Sequence, residues 1–534
     1  MDALENATIG NLFEKHARFF PDKTIQVFED GRRQTYRELD ERANKLANGL
    51  LGLGLKKGDH VAMLAMNCME YLEYQLATAK IGIVSVLVNN FMPKDRIAHM
   101  LHFSDSKAVI FESQYLEAVR YSSDQAEALE HLIMIDRANE EKSGKTHDYE
   151  DTIMRSASEK PPVDVKISDP NSMLFTTGTT GAPKAVLKSM AADMHHPIYC
   201  AIYYPRYDAV HKLGLPPFSH LVSMLMAPQF HLGGQSGTLT PLIFPSTLVL
   251  MRSFDPEKFL RLIDQERINT TWIQPAMLYQ IKKLPEEVIK KYDVSSVICI
   301  VCGSTTLKEQ ERKDFGTFFH NATLGSCYAS TEFAIAAYVS QEELTATRPD
   351  NLGIPIYNAD MKIVDDQGNA LPPHQVGQIW VKTPALPMGC RYYKDEEATR
   401  KGFRDGWAIV GDVGWRDENG RFYFYGRAND MIKSGGEKIS PIPIEEVIQQ
   451  HPKINAAAVV GIPDDRWQEA VAAVVVPKQG ESISLEEIVR FCRGKVATYE
   501  VPKKVYILDE LPVGTTGKVN RVRLKELIQE IKET

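Results

Sequence analysis

The chain has 534 residues, of which 43% are hydrophobic and 25% are charged, and its formal net charge is −8. This is the composition of an ordinary globular protein, and the length predicts roughly two to four domains. The acidic balance argues against general binding to nucleic acid or to an anionic membrane surface.

Neither a targeting segment nor a cysteine framework is evident. The first six residues lack the basic and apolar regions of a signal peptide, and no apolar run is long enough to span a bilayer. Of the seven cysteines, Cys299 and Cys302 form the one C-x-x-C pair, within a predicted buried strand. Residues three apart on a strand face opposite sides, so we expect reduced thiols in a cytoplasmic protein rather than a metal or redox pair.

The first elements predict a parallel sheet. A capping box, Thr35-x-x-Glu38, begins a predicted helix that ends near two glycines. A predicted strand, helix and strand follow at 61–65, 71–79 and 83–88. This order is typical of a βαβ unit. The charged stretch 140–160 is poor in apolar residues and is predicted to be a surface excursion.

A polar loop then follows a short apolar strand. It carries four threonines, two glycines and a lysine: Thr176, Thr177, Gly178, Thr179, Thr180, Gly181 and Lys184. Glycines allow backbone N–H groups to turn toward an anion, and hydroxyls add donors, so the loop is a candidate phosphate cradle. Pro183 disfavours helix just before Lys184, unlike a P-loop. The alternative is a plain polar surface loop.

The stretch from Thr176 to Lys184 resembles the signature loop of the adenylate-forming, AMP-binding enzymes. This family contains acyl- and aryl-CoA ligases, adenylation domains of peptide synthetases, and beetle luciferases. Four further motifs follow in the family's order. The resemblance implies an α/β protein: a large N-terminal domain of layered mixed sheets with helices, residues 1–428, and a small, mobile C-terminal α+β domain, residues 429–534. It places the chain in the acyl-/aryl-CoA synthetase branch.

The acid-binding region is the least defined by sequence. Segment 185–230 is longer than we expect for this family and rich in aromatic residues; it is either a helix face with a loop or an insertion that shapes the pocket. The resemblance implies four pocket-lining residues: His231, Gln235, Trp272 and Ala329. Amino-acid-activating relatives place an aspartate near this point, and none occurs between Phe230 and Gly237. An α-amino substrate is therefore disfavoured.

The resemblance also assigns a nucleotide site. The backbone of Gly303, Ser304 and Thr305 would lie along the adenine. Tyr328 would stack on it, Thr331 would donate to the α-phosphate, and Ser330 would also belong to the ATP site. Glu332 would hold Mg²⁺, Asp412 would accept the ribose hydroxyls, and Arg427 would contact ribose or phosphate. Ala329 replaces the glycine usual in this motif, and Val410 a threonine. The alternatives are a helix start at Ser330 and a simple turn aspartate at Asp412.

Two later motifs imply a domain that moves. Asn429 stands at the family's hinge, where Asp or Lys is usual, and the loop with Lys433, Gly435 and Gly436 would face the active site during thioester formation. Lys518, after a glycine, would bridge the carboxylate and the nucleotide as a catalytic residue.

The implied activity is that of an ATP-dependent, AMP-forming acid:CoA ligase with ATP, Mg²⁺ and coenzyme A. Three alternatives stay open: an acyl-AMP ligase that serves a carrier-protein thiol, a luciferase-like oxygenase, and a non-catalytic nucleotide sensor. No nucleic-acid partner and no membrane span are expected. The sequence defines neither the acid nor the oligomeric state, and a homodimer is one open alternative.

Overall fold

The computed structural model describes residues 5–124, 128–136, 145–176, 184–203, 218–303, 307, 309–346, 348, 350–513 and 519–533. The chain divides into two compact units, Met1–Met361 with Val381–Ala408, and Lys362–Trp380 with Ile409–Thr534. A large unit of layered sheets and helices precedes a smaller one, which confirms the predicted α/β class. The predicted boundary between residues 428 and 429 stays a prediction.

The first unit contains most of the secondary structure. Its strands are β1 (Thr24–Phe28), β2 (Arg33–Thr35), β3 (His60–Leu64), β4 (Val84–Leu87), β5 (Ser106–Phe111), β6 (His131–Met134), β7 (Thr146–Asp148), β8 (Pro170–Thr176), β9 (Lys184–Ser189), β10 (Val222–Leu225), β11 (Thr247–Leu250), β12 (Thr270–Trp272), β13 (Cys299–Gly303), β14 (Thr323–Ser330), β15 (Ala334–Val339), β16 (Asn351–Pro355), β19 (Arg391–Tyr392), β20 (Phe403–Arg404) and β21 (Trp407–Ala408).

Its helices cover these sheets. They are α1 (Ile9–Phe19), α2 (Tyr36–Gly52), α3 (Glu70–Ile81), α4 (Lys94–Phe103), α5 (Leu116–Ser123), α6 (Tyr149–Met154), α7 (Met190–Tyr203), α8 (Leu232–Ile243), α9 (Pro256–Glu266), α10 (Pro275–Lys282), α11 (Glu286–Ile289), α12 (Glu309–Phe318), α13 (Gln341–Ala346) and α14 (Glu396–Gly402). Two short 3₁₀ turns, Ser113–Tyr115 and Phe218–His220, complete the set.

One sheet has the strand order β19-β9-β8-β4-β3-β5-β6-β7. Strand β3 pairs in parallel with β4 and β5, as the βαβ pattern predicts. Its alternate residues belong to two hydrophobic clusters: Val61 and Met63 to one, Ala62 and Leu64 to the other. Because both faces are buried, the strands read as continuous apolar runs, and helices cover the sheet on both sides.

A second sheet of this unit runs in the order β2-β1-β11-β10-β12-β13-β14-β15-β16. From β1 through β14 the pairs in this order are parallel, and β15 turns back antiparallel. Parallel strands present their carboxyl ends at one edge, where α/β sheets bind ligands. Strands β13 and β14, which carry two of the sequence motifs, are neighbours inside this sheet and both end at that edge.

Local signals explain several element boundaries. The side chain of Thr35 accepts from the backbone N–H of Glu38, and the carboxylate of Glu38 accepts from the backbone N–H of Thr35. This is the predicted capping box at the start of α2. Gly82 ends α3 in the left-handed conformation, which glycine adopts at little cost.

The predicted surface excursion at 140–160 is wrong for residues 146–154, whereas most of the residues 155–160 are exposed. Residues 146–148 form β7, which pairs in parallel with β6, and α6 follows directly. Tyr149 and Ile153 are fully buried although their neighbours are charged. These two residues lie four apart, so they occupy one face of a single helical turn that meets the core.

The second unit is an α+β module. Its strands are β17 (Asp360–Val364) and β18 (Gly377–Lys382), most of whose residues belong to it, then β22 (Asp412–Arg416), β23 (Phe422–Arg427), β24 (Ile432–Ser434), β25 (Glu437–Ile439), β26 (Ile454–Asp464), β27 (Gln468–Pro477) and β28 (Lys504–Ile507). Its helices are α15 (Pro441–Gln449), α16 (Leu485–Cys492) and α17 (Arg521–Glu533). The apolar runs 456–461 and 470–476, which the sequence predicts as two strands, form the long hairpin β26–β27.

Cysteines and membrane segments follow the sequence-based expectation as far as the structure describes them. The structure describes the side chains of six of the seven cysteines, and all six are free. Burial raises the pKa of Cys299 to about 12, so its thiol stays protonated. None of the described helices combines the length and the apolar character needed to cross a bilayer.

Candidate active site

The predicted phosphate cradle joins two paired strands. β8 and β9 run antiparallel, with Thr176 opposite Lys184, and the Thr176 hydroxyl donates to the backbone oxygen of Lys184 at 3.3 Å. Lys184 begins a strand rather than a helix, as Pro183 led us to expect. The five residues Thr177, Gly178, Thr179, Thr180 and Gly181 lie outside the described residues, so their phosphate role stays a prediction.

Glu332 occupies the turn between β14 and β15. Residues 331–333 form this turn, so the alternative of a helix start at Ser330 is wrong. The Glu332 residue is 8% exposed. The Tyr392 hydroxyl donates to Oε1 of Glu332 at 2.9 Å, and the Ser330 hydroxyl donates to Oε2. A buried carboxylate thus has both oxygens oriented by neutral donors.

Tyr392 is a site residue that sequence reasoning missed. It lies on β19, which pairs antiparallel with β9 and places Tyr392 opposite Val186. The ring of Tyr392 lies 4.8 Å from Nζ of Lys184. Burial and the adjacent Glu332 carboxylate raise the pKa of Tyr392, which keeps the phenol protonated as a donor. The tandem Tyr392-Tyr393 was a signal in the sequence, but only strand pairing shows its partners.

The remaining nucleotide motif residues of this unit lie at the β13–β14 edge. Gly303 ends β13 opposite Cys327, and Ser304 and Thr305 lie outside the described residues. Tyr328 is buried and its ring centroid lies 5.4 Å from that of Phe333. Thr331 lies in the turn beside Glu332.

Ala329, at the position where the family usually has glycine, contacts a small apolar cluster. Its methyl group packs against the cluster of Ile335 and Ile356. Trp272, another predicted pocket residue, lies at the end of β12 opposite Val301 and packs against a separate cluster with Leu225 and Leu248. The roles of Ala329 and Trp272 in acid binding stay predictions.

His231 and Gln235 lie in different surroundings although both were predicted to line the acid pocket. His231 is the N-cap residue of α8 and is exposed. The ring of the preceding Phe230 meets Phe91 edge-on at 5.8 Å. Gln235, one turn further along α8, is buried and donates through Nε2 to Oδ1 of Asp193 at 3.2 Å.

A buried ion pair lies beside Gln235. Nζ of Lys188 lies 3.3 Å from Oδ1 of Asp193, and their side chains are 4% and 0% exposed. Asn171 donates to the other Asp193 oxygen at 2.7 Å, and the Gln235 amide oxygen lies 3.5 Å from Lys188 Nζ. Sequence reasoning did not identify this network. Its signal was a lysine within the apolar strand β9.

In the second unit, Asp412 and Arg427 face each other across β22 and β23. Nε of Arg427 lies 3.3 Å from Oδ1 of Asp412, whose side chain is 6% exposed. The backbone of Ala428 donates to Gly411 at 2.8 Å, which closes the turn beside them. Asp412 is therefore an ion-paired, buried residue at a strand start rather than a simple turn aspartate.

The predicted hinge residues form exposed backbone next to a short hairpin. Asn429 is exposed, and β24 and β25 follow as a hairpin with Gly435 and Gly436 at its turn. Both glycines have positive φ, 62° and 91°, which a two-residue hairpin turn requires. The backbone N–H of Lys433 donates to Glu469 at 2.7 Å. Pivoting and CoA contact stay predictions.

Lys518 lies outside the described residues, but the base of its loop is described. Val513 bridges Val519, and the Asn520 backbone donates to Pro512 at 2.7 Å. Arg521, at the start of α17, lies 2.9 Å from the buried Glu445 carboxylate. The residues that flank the loop are therefore paired with each other, and the start of α17 is held to α15.

The single carboxylate of Glu332 fits a magnesium ion that is bound jointly by the protein and a polyphosphate, and not by protein side chains alone. Among the described residues, no group of three or more His, Cys, Asp and Glu side chains could hold a metal. Glu332 offers one carboxylate whose two oxygens each keep acceptor capacity. Mg²⁺ is usually held by one or two carboxylates together with substrate phosphates and water.

The carboxylate of Glu332 is buried at the carboxyl ends of mainly parallel strands, where α/β sheets bind ligands. Together with a polar loop that ends at Lys184, this arrangement is typical of an α/β enzyme that uses a nucleotide. The family model "AMP-binding enzyme" matches residues 13–391, and "AMP-binding enzyme C-terminal domain" matches residues 443–518. The chain belongs to the AMP-binding enzymes, in the acyl-CoA synthetase branch of the adenylate-forming superfamily. The predicted resemblance is confirmed.

Similar proteins align over nearly their whole length. A feruloyl-CoA synthase from Amycolatopsis sp is 30% identical, with 97% of this chain and 98% of that protein covered. A crotonobetaine/carnitine–CoA ligase from Salmonella heidelberg (strain SL476) is 29% identical, with 98% and 100% covered. The solved structure of a Mycobacterium tuberculosis fatty acyl CoA synthetase matches with a TM-score of 0.74 at 27% identity, covering 97% and 98%.

Proposed function

We propose that the protein is an ATP-dependent, AMP-forming acid:CoA ligase. It joins a carboxylic acid to the α-phosphate of ATP, releases pyrophosphate, and then transfers the acyl group from AMP to the thiol of CoA. The observation that carries this proposal is the Glu332 carboxylate held by Tyr392 and Ser330, on the unit that bears Lys184. Membership in the acyl-CoA synthetase branch supports it, and neither a carrier-linked ligase nor a sensor is favoured.

In the first half-reaction a carboxylate oxygen attacks the α-phosphorus and pyrophosphate leaves. Two anions must approach each other, so the protein contributes mainly positive charge and positioning. Lys184 and Lys518 supply charge, and Thr331 donates to the α-phosphate. Asp412 accepts the ribose hydroxyls, and Arg427 orients Asp412 from across the strand pair.

Glu332 would hold the magnesium ion that accompanies ATP. When bound, the ion supplies charge neutralisation of the polyphosphate. Glu332 contributes a fixed carboxylate, and the hydroxyls of Tyr392 and Ser330 keep it oriented.

The acid is proposed to lack an α-ammonium group. Residues 230–237 contain no aspartate. The carboxylate that reaches this region, Asp193, is fully buried and already paired with Lys188. The similar proteins carry the names of carnitine, feruloyl and fatty acyl compounds, which differ widely in size and polarity. We therefore propose a carboxylic acid of this broad class and no particular chain length.

In the second half-reaction the C-terminal module rotates about Asn429. Lys518 leaves the acyl-adenylate, and the loop of Lys433, Gly435 and Gly436 takes its place. The thiolate sulfur of CoA attacks the acyl carbonyl carbon, the bond to the AMP oxygen breaks, and AMP leaves. The exposed Asn429 and the two positive-φ glycines support a segment of adaptable backbone.

The decisive experiment is pyrophosphate release with ATP and Mg²⁺ over a panel of carboxylic acids, with and without CoA. We expect release to be sustained only when CoA is present, with AMP and an acyl thioester as products. Release that stops after about one turnover whether or not CoA is present would point to another acceptor. ATP binding with no pyrophosphate release for any acid would favour a nucleotide sensor.

A further inference from the structure

Tyr392 makes two contacts of different kinds within the first unit. Its hydroxyl donates to Oε1 of Glu332 at 2.9 Å. Its ring lies 4.8 Å from the ammonium nitrogen of Lys184. One buried side chain thus touches both the carboxylate and the cation that the proposed function assigns to the ATP phosphates.

Strand pairing places the side chain there. β19 adds to the sheet beside β9, with Tyr392 opposite Val186, two residues after Lys184. Residues two apart on a strand share a face, so Lys184 and Val186 lie on the same side of the sheet. The next residue, Tyr393, points the other way and donates its hydroxyl to Asp105 at 2.7 Å.

The hydroxyl contact constrains the carboxylate. Tyr392 and Ser330 each donate to a different oxygen of Glu332, which fixes the plane of the carboxylate. Each oxygen keeps a lone pair with which it can bind a cation. Outer partners of this kind orient metal-binding carboxylates, and their loss usually weakens metal affinity.

The ring contact constrains the lysine. An ammonium group over the face of a tyrosine is attracted by the ring's negative face. This contact holds Lys184 beside Tyr392, which also bonds to Glu332. Because the phenol of Tyr392 is neutral, the contact does not offset the lysine charge, which stays available for an anion. The hydroxyl and the ring therefore act on two separate groups.

We propose that Tyr392 is a positioning residue with two separable roles: its hydroxyl orients Glu332 for the magnesium ion of MgATP, and its ring holds Lys184 for the phosphates. This inference rests on the proposed function. It adds a residue that neither the cradle nor the Glu332 motif contains.

The two roles can be separated by substitution. Tyr392→Phe keeps the ring and removes the hydroxyl, whereas Tyr392→Leu removes both. Tyr393→Phe is the matched control, because it removes a tyrosine–carboxylate hydrogen bond from the adjacent residue on the opposite face. Ser330→Ala removes the other donor to Glu332 and serves as a second variant should Tyr392 variants fail to fold.

The first measurement is binding of Mn²⁺, as a probe for Mg²⁺, to the full chain with ATP and no acid, followed by electron paramagnetic resonance. We expect Tyr392→Phe and Ser330→Ala to weaken Mn²⁺ binding about tenfold, with Tyr393→Phe equal to wild type. ATP binding without metal, measured by calorimetry, should be unchanged in Tyr392→Phe and weaker in Tyr392→Leu.

Failure of this inference and failure of the proposed function are distinguishable. If wild type releases pyrophosphate with an acid but Tyr392→Phe binds Mn²⁺ as wild type does, the positioning role of the hydroxyl is overturned. Equal metal-free ATP binding by the Phe and Leu variants overturns the role of the ring. If wild type releases no pyrophosphate with any acid, the proposed function itself fails.

Discussion

The two buried carboxylates of the nucleotide motifs have opposite kinds of partner. Glu332, in the first unit, receives hydrogen bonds from two hydroxyls. Asp412, in the second unit, lies beside the guanidinium of Arg427. A hydroxyl orients a carboxylate without offsetting its charge, whereas a neighbouring cation offsets part of that charge and leaves the oxygens as charged acceptors. The difference suits Glu332 to a metal cation and Asp412 to neutral sugar hydroxyls.

The strongest test of this contrast uses a third carboxylate, Asp193, which is held by a cation within the first unit. Lys188→Met should leave its buried charge without a cation and destabilise the protein by about 3–5 kcal/mol. Thermal denaturation would measure the loss. The double variant Lys188→Met/Asp193→Leu should recover most of it, because no buried charge then remains. A single variant as stable as wild type would contradict the assignment of a buried ion pair.

Glu332→Gln tests the hydroxyl-held carboxylate directly. The amide keeps the shape and loses the charge, so we expect acid-dependent pyrophosphate release to fall at least roughly 100-fold, since a bound metal ion supplies several kcal/mol of charge stabilisation. Binding of ATP in the absence of Mg²⁺ should change little. A variant that keeps wild-type Mg²⁺ dependence would show that Glu332 is not the metal-binding residue.

Asp412→Asn should act on ATP affinity rather than on turnover. Loss of a charged hydrogen-bond acceptor for the ribose predicts a rise in KM for ATP of roughly ten- to a hundredfold, from about 1.5–3 kcal/mol. The comparison nucleotide is 2′,3′-dideoxy-ATP, which lacks both hydroxyls. Wild type should discriminate strongly against it and the variant weakly. Undiminished discrimination would place the ribose elsewhere.

The smallest expected effect concerns the pair formed by His131 on β6 and His147 on the edge strand β7. Their ring nitrogens lie 3.2 Å apart, and burial, with a contribution from His131, lowers the pKa of His147. Below the ordinary histidine pKa near 6.5, the folded state thus binds fewer protons than the unfolded state. The free energy of unfolding is therefore not reduced by His147 above that pH, and it falls as the pH falls below it. His147→Gln should reduce the drop in Tm between pH 7.5 and 5.5, and the exposed His102→Gln should not.

Residues that act with their sequence neighbours were predictable. The capping box of Thr35 and Glu38 is local, and the sequence predicted it. The apolar strands of the C-terminal module were evident for the same reason, because each forms one uninterrupted run.

Residues that act with partners distant in sequence could not be predicted. Tyr392 meets Glu332 across 60 positions of sequence, and no spacing rule links them. Lys188 and Asp193 stand close in sequence, but their pairing depends on α7 folding back over β9. The buried turn of Tyr149 and Ile153 was missed because two apolar residues among charges carry too little periodicity. Sequence reasoning therefore identified the motifs and missed the side chains that orient them.

The two-residue strand β19 has a further consequence for how the gene can vary. Tyr392 and Tyr393 serve opposite faces of the sheet, and the register of β19 against β9, with Tyr392 opposite Val186, decides which ring lies on which face. Insertion or deletion of one residue between Thr383 and Tyr392 would shift this register and exchange the two rings. Thr383, Ala385 and Leu386 of this stretch are buried, and Gly389 has a φ of 114°, so we expect it to tolerate few substitutions as well as no change in length.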